Sequence, residues 1–301
     1  MPDTIRSGAA SDGWDSREVA SGGATIAAQS LGEPGRPALL LLGAATWSRD
    51  WWPDAWCATL AEAGLRVIRF DTRDTGASTS YPPGEPGYTS ADLGDDAIAV
   101  LDAFDVDRAV LVGLSMGGGL AQLVATQYRE RVAGLVLMST SPADDADRGL
   151  PGPTSEIMAT FTGAPPDPDW ADRDAVVEWV VNAERPYAGP GNFDEDALRE
   201  LAGRVWDRTV SMPSASANHF AIADGAAPID LAALRDLPAM VVHGTADPMF
   251  PPEHGRALAE ALDTRLLLLD DVGHQVPPPH TWPEVTAAIA ELVGSIQGRS
   301  G

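Results

Sequence analysis

Gly113-Leu114-Ser115-Met116-Gly117 is the stretch of this chain best suited to bond-breaking chemistry. It has the form G-x-S-x-G, with the apolar run 109–112 before it and a helical-looking segment after it. At a sharp strand-to-helix turn a serine hydroxyl is pushed out of the sheet. The free N–H groups opening the next helix then point at whatever it attacks. Glycines two before and two after it let neighbouring backbone approach without a Cβ in the way. Such a hydroxyl is a weak nucleophile at neutral pH. It needs a base within hydrogen-bond reach, and the base needs a group to orient it.

Five histidines could serve: His219, His243, His254, His274 and His280. His274, in Asp271-Val272-Gly273-His274-Gln275, follows an apolar run and falls in a loop at the same sheet edge as Ser115, so we assign it as the base. His243 closes another apolar run and reads as a core or rim residue. His254 and His280 read as surface loop or helix-start residues, and His219 as a cap residue that either lines the substrate cavity or packs within the cap. The orienting carboxylate is Asp247, in a turn after the preceding strand, one helix and one strand before the histidine. The order Ser115, Asp247, His274 is one that serine hydrolases use. Asp144 or Asp145, after an earlier strand, is the rival. An acyl-transfer oxyanion also needs two donors. We expect the N–H of Met116 and, from the loop opened by Leu42-Gly43-Ala44, the N–H of Ala44. Gly43, Trp47 and Phe250 should border the substrate beside His219.

The remaining chain supplies elements to hold these groups. Ala38-Leu39-Leu40-Leu41-Leu42 is a continuous apolar run, as expected of a strand buried on both faces of a parallel sheet. Further strands are expected at 66–70, 109–112, 133–138, 239–243 and 265–269, and an edge strand at 24–29. Helices are expected at 53–63, 91–104, 116–127 and near 283–294. The rhythm breaks between 143 and 228, where Pro/Gly/Asp-rich turns separate helical pieces such as 172–184 and 194–208. The expected organisation is an α/β core over 1–142 and 229–301, with an inserted helical cap over 143–228. Trp52 and Trp56 are read as one helix face that either walls an apolar pocket or packs in the core under the cap.

The formal net charge of −24 argues against nucleic acid, which needs a basic face, and against anionic membranes. Cys57, the only cysteine, permits no intramolecular disulfide and reads as a buried thiol. No signal-peptide pattern or bilayer-length apolar run stands out, so a cytoplasmic protein is expected. No clustered Cys/His ligands, G-x-G-x-x-G or Walker pattern is present, and no cofactor or metal is expected.

These residues resemble the α/β-hydrolase superfamily over nearly the whole chain. Arg69-Phe70-Asp71-Thr72-Arg73-Asp74-Thr75-Gly76 carries Asp74 where many relatives have glycine. With Gly-Leu-Ser-Met-Gly and a Gly273-His274 followed by prolines, it resembles the aclacinomycin methylesterase group, which removes methyl esters from aromatic polyketides. The resemblance implies an α/β-hydrolase fold, a Ser115–Asp247–His274 triad, and Ala44 and Met116 as oxyanion donors. One departure is Leu42-Gly43 where relatives carry His-Gly. Dehalogenases and epoxide hydrolases of this fold need aspartate where Ser115 stands.

The expected activity is serine-dependent hydrolysis of a small-molecule carboxylic ester through an acyl-enzyme. The expected substrate is a methyl ester or lactone of a bulky apolar molecule. Alternatives are thioester or carbon–carbon hydrolysis, acyl transfer, haloperoxidase-like perhydrolysis, and a non-catalytic ligand-binding fold.

Overall fold

The computed structural model describes residues 8–9, 13–144, 146–163, 166–223 and 228–299. A nine-stranded sheet runs through it in the order β1-β2-β3-β5-β4-β6-β7-β8-β9. These strands are β1 (Gly8–Ala9), β2 (Asp15–Ser21), β3 (Ala24–Leu31), β4 (Ala38–Leu42), β5 (Arg66–Phe70), β6 (Ala109–Leu114), β7 (Val132–Met138), β8 (Ala239–Gly244) and β9 (Arg265–Leu269). Pairing is antiparallel from β1 to β3 and from β3 to β5, and parallel from there to β9.

The run of leucines in β4 is explained by which face each one meets. Leu40 and Leu42 join the hydrophobic cluster on one side of the sheet, and Leu39 and Leu41 join the cluster on the other. Alternate residues point to opposite faces, so a strand covered on both sides must be apolar throughout. The first face is covered by α2 (Ser90–Ala103), α3 (Met116–Gln127) and α8 (Pro252–Leu262), through residues such as Leu93, Val124 and Leu258. The second is covered by α1 (Asp54–Glu62) and α9 (Trp282–Arg299), through residues such as Cys57, Leu60 and Ile289. Burial pushes the Cys57 thiol up to about 12, so it stays protonated and packs as a small apolar group.

Strand β3 is not the edge strand expected of it. Gly22 and Gly23, both at positive φ, form a two-residue hairpin turn that folds β2 back along it. Its other side pairs with β5, so it is interior. Of the two tryptophans Trp52 and Trp56, the first also departs from expectation. Trp52 precedes α1 rather than lying on it, and both rings are buried in the core, with Trp56 Nε1 donating to Thr286 Oγ1 of α9 at 3.2 Å.

Between β7 and β8 the chain leaves the sheet for an inserted helical region. It comprises α4 (Ser155–Thr162), α5 (Arg173–Glu184), α6 (Glu195–Arg208) and α7 (Met212–Ala217). Asp172 and Asp194 cap α5 and α6, accepting from backbone N–H groups of the first turn. Thr154 and Ser211 do the same for α4 and α7. The apolar stripes of α5 and α6 (Val176, Val180, Ala202, Val205) belong to the same hydrophobic cluster as α1 and α9. The insertion is therefore joined to the core by packing, not only by its two connections. Among the described residues no helix is long and apolar enough to cross a membrane.

Candidate active site

Strand β6 delivers Ser115 to the tip of the sheet with φ 55° and ψ −118°. That backbone conformation is costly for a residue with a Cβ, so it must be held from outside. Ser115 N donates to Met138 O at 3.0 Å, and Ser115 O accepts from Gly118 N at 2.9 Å and Thr140 Oγ1 at 2.9 Å. The flanking glycines are required by close approach. A Cβ at Gly113 would collide with the Gly117 carbonyl, and one at Gly117 would collide with the Leu42 carbonyl. The second collision shows how tightly the loop after β4 presses on the start of α3. It brings the Gly43 carbonyl against Gly117 as well. The N–H groups of Ala44 and Met116 make no hydrogen bond within the described residues.

His274 Nε2 lies 2.9 Å from Ser115 Oγ, and its Nδ1 lies 2.9 Å from Asp247 Oδ2. With Asp247 ionised, Nδ1 carries the proton and donates, leaving Nε2 free to accept from the serine. Asp247 is buried, and its Oδ1 accepts from Met249 N at 3.0 Å and Phe250 N at 2.8 Å. Burial works to raise its pKa. The neighbouring His274 charge and hydrogen bond, with His243 and the Phe250 N–H, outweigh that and hold the carboxyl below its usual range.

Next to this pair sits His243, whose ring is fully buried. Its Nε2 donates to Phe250 O at 2.7 Å and lies 3.6 Å from Asp247 Oδ2. Burial lowers its pKa and keeps it neutral, so it buttresses the turn that holds Asp247. The rival acid, Asp144, pairs with Arg148 instead of His274. Asp145 lies outside the described residues.

The other expected site residues divide. Phe250 lies in an edge-to-face arrangement 5.5 Å from the His274 ring. Trp47 is 6% exposed and stacked on Trp51 at 4.7 Å, forming the wall behind Gly43 rather than an open face. His219 is buried with both ring nitrogens engaged by protein, so it is not free to meet a ligand through them. His254, expected as a surface or helix-start residue, stands in the first turn of α8 and is 8% exposed. It bridges Ser141 Oγ and Pro151 O, both at 2.8 Å, and pins the start of the insertion to α8.

Three contributors were not anticipated. Tyr187 packs its ring 6.0 Å from the His274 ring, and its carbonyl accepts from His274 N at 2.8 Å. Gly189 is pressed against the Asp271–Gly273 backbone so closely that a Cβ would collide with the Asp271 carbonyl. Glu184, half-buried at the end of α5, lies within electrostatic reach of His274, and burial pushes its carboxyl up to about 7. The one available signal was the Pro186-Tyr187-Ala188-Gly189-Pro190-Gly191 turn, whose glycines announce close backbone approach without saying to what.

A buried acid, an imidazole and a strained serine lie in one hydrogen-bonded line on a mostly parallel α/β sheet, an arrangement chemically suited to nucleophilic attack by the serine. The alpha/beta hydrolase fold family matches residues 36–280, and the chain belongs to that family. It is an esterase-type member related to rhodomycin D methylesterases. It is 32% identical to DauP of Streptomyces sp. (strain C5), covering 84% of this chain and 90% of that one. It is 30% identical to DnrP of Streptomyces peucetius, covering 87% and 92%. Among solved structures, the esterase RhEst1 from Rhodococcus sp. ECU1013 superposes with a TM-score of 0.72 over 97% of this chain and 99% of that one. At 23% identity, that likeness speaks for the fold.

Proposed function

We propose that this chain hydrolyses a carboxylic ester through an acyl-enzyme formed on Ser115. The observation that carries the reading is the 2.9 Å contact between Ser115 Oγ and His274 Nε2, with Asp247 on the far side of the ring. His274 takes the serine proton as Oγ attacks the ester carbonyl. The N–H groups of Ala44 and Met116 stabilise the oxyanion. His274 then protonates the leaving alcohol, and the same ring activates a water that releases the acid. Asp247 holds the tautomer and stabilises the imidazolium.

The substrate we propose is a methyl ester or lactone of a bulky, largely apolar small molecule of polyketide type. Aromatic rings beside His274 (Phe250 and Tyr187) offer flat apolar surface at the reacting bond, with the helical insertion 143–228 acting as a cap. Relatedness to enzymes named for rhodomycin D supports the same class. Ser115→Ala should lower kcat on a p-nitrophenyl ester by at least about four orders of magnitude with the fold intact by circular dichroism. Retained turnover would sink the mechanism. A panel of aromatic methyl esters, lactones and thioesters then tests the substrate class, and preference for thioesters would overturn it.

A further inference from the structure

We propose that His219, carried by the insertion, is a positioning residue for the oxyanion loop: its Nδ1 holds the Thr46 N–H and so fixes the turn that presents Ala44. This rests on the reading of Ala44 as an oxyanion donor.

The geometry begins with the loop itself. After β4 the chain must turn within a few residues, and Trp47 N closes that turn on Ala44 O at 3.2 Å. Thr46 sits inside the turn at φ 70°. A β-branched residue at positive φ is strained, and the conformation persists only where neighbours hold it. Thr46 N donates to His219 Nδ1, 173 positions further along the chain, at 2.8 Å.

The ring is in turn held from its other end. Nε2 lies 2.9 Å from Arg73 O and 3.4 Å from Thr72 Oγ1. A carbonyl only accepts, so Nε2 bears the proton and Nδ1 is left as an acceptor. The tautomer is therefore the one the Thr46 N–H requires. Asn218, fully buried next door, fixes the backbone: its Oδ1 accepts from Gly84 N at 2.6 Å and its Nδ2 donates to Pro82 O at 3.2 Å. His219 thus ties the loop after β4 to the loop after β5 through a side chain supplied by the insertion.

Protonation would destroy the arrangement, because the imidazolium has no acceptor and would set an N–H against the Thr46 N–H. Burial favours the neutral ring, lowering the pKa against the opposing Arg73 carbonyl and Asp74 charge. The charged groups nearby are themselves engaged. Asp74 accepts from Tyr88 Oη at 2.7 Å and Tyr81 N at 2.6 Å, and the Arg73 guanidinium is paired with Asp96 at 2.8 Å.

The role separates from simple packing because two amides mimic different ring nitrogens. Asparagine carries its oxygen near the Nδ1 position and can accept from Thr46, whereas glutamine reaches towards Nε2 and leaves Thr46 unpaired. An oxyanion donor acts on the transition state, so displacing it lowers kcat more than it changes KM. Complete loss of one donor typically costs two to three orders of magnitude, so a loosened one in His219→Gln should cost about tenfold in kcat, with KM within about twofold. His219→Asn should keep kcat within about threefold of the parent. Steady-state kinetics on one ester, with melting temperatures of both variants, reads this out. Equal losses in the two variants that follow their melting temperatures would make His219 a packing residue and overturn the proposal. Parental kcat in His219→Gln alongside an inactive Ser115→Ala would overturn this proposal alone. Activity in Ser115→Ala would bring down the ester-hydrolase reading, and this inference with it.

Discussion

The insertion grips the two flanks of Ser115 by different means. On the base flank the contacts run through backbone, neutral amides and an aromatic ring. Tyr187 O takes the His274 N–H, Gly189 lies against Asp271 and Gly273, and Gly189 N donates to Gln275 Oε1 at 2.9 Å. On the oxyanion flank they run through ionisable side chains. Arg208, at the end of α6, reaches both Asp50 and Asp71, and Asp71 Oδ1 also accepts from Arg49 N at 2.8 Å, just past the oxyanion loop. His219 completes that side. Backbone contacts depend on shape and are indifferent to pH, whereas ion pairs and imidazoles depend on charge and respond to it. The two halves of the proposed acyl-transfer site should therefore fail under different perturbations.

The largest effect should come from the base flank, by size alone. Gly189→Ala places a Cβ where the Asp271 carbonyl and Gly273 N already are, so the 271–275 loop must move. His274 rides on that loop. A shift of about 1 Å in a catalytic group costs on the order of a hundredfold, so kcat should fall about that far, equally at all pH values where the parent is active. Gly152→Ala, where an added Cβ meets nothing within 4 Å, should leave kcat unchanged. Equal kinetics in the two variants would show that the insertion does not set the position of His274.

On the oxyanion flank the corresponding perturbation removes charge. Arg208→Met takes the guanidinium from the largely buried Asp50 and leaves the fully buried Asp71 carboxylate with Arg49, at 3.8 Å, as its remaining ion-pair partner. Breaking a buried pair costs about 3–5 kcal/mol, and the partial exposure of Arg208 argues for about 2–3 kcal/mol here. Burial raises the Asp50 pKa, but Arg208 outweighs it and holds the carboxyl below its usual value. A depressed carboxyl stabilises above its unfolded pKa, near 3.8, and loses that contribution as pH falls through the folded value. The stability gap between parent and variant should therefore be widest near pH 7 and narrow below about pH 4. Urea unfolding at the two pH values measures it, and a gap independent of pH would mean that Arg208 acts through packing.

The same division explains what could be read from residue order. The elbow, Asp247 and His274 were legible because each stands at the end of an apolar strand, and strand ends in a parallel sheet converge on one edge. Gly113 and Gly117 were legible because a serine at that turn needs them. The role of His219 was not, since its partners are Thr46 N and Arg73 O, backbone atoms in distant loops that no residue type announces. His254 does stand at the start of α8, but its burial was hidden for the same reason: its partners come from the start of the insertion. Trp56 was left open between pocket wall and core because an aromatic on a helix face looks the same whether it borders a pocket or packs on α9. The helices α4 and α7 are short and lean on capping by Thr154 and Ser211 rather than on a long apolar stripe.

The smallest expected effect tests a half-buried carboxyl beside the base on a largely shape-dependent flank. Glu184 precedes the 185–189 turn and sits in the field of His274. Burial pushes its carboxyl up to about 7, and a charged His274 draws it down. By reciprocity, an ionised Glu184 stabilises the imidazolium formed when His274 takes the serine proton. As pH rises through about 7, the parent should therefore gain about threefold in kcat that Glu184→Gln does not show. Stability should move the opposite way. A carboxyl raised in the folded state contributes most below its unfolded pKa, and that contribution is lost as pH rises through about 7. Glu184→Gln should thus gain stability relative to the parent between pH 5 and pH 8 while losing the rise in kcat. A variant that matches the parent in both profiles would leave the base flank held by shape alone. One that shows both changes would place a single charge-dependent element beside His274, and the contrast between the flanks becomes one of degree.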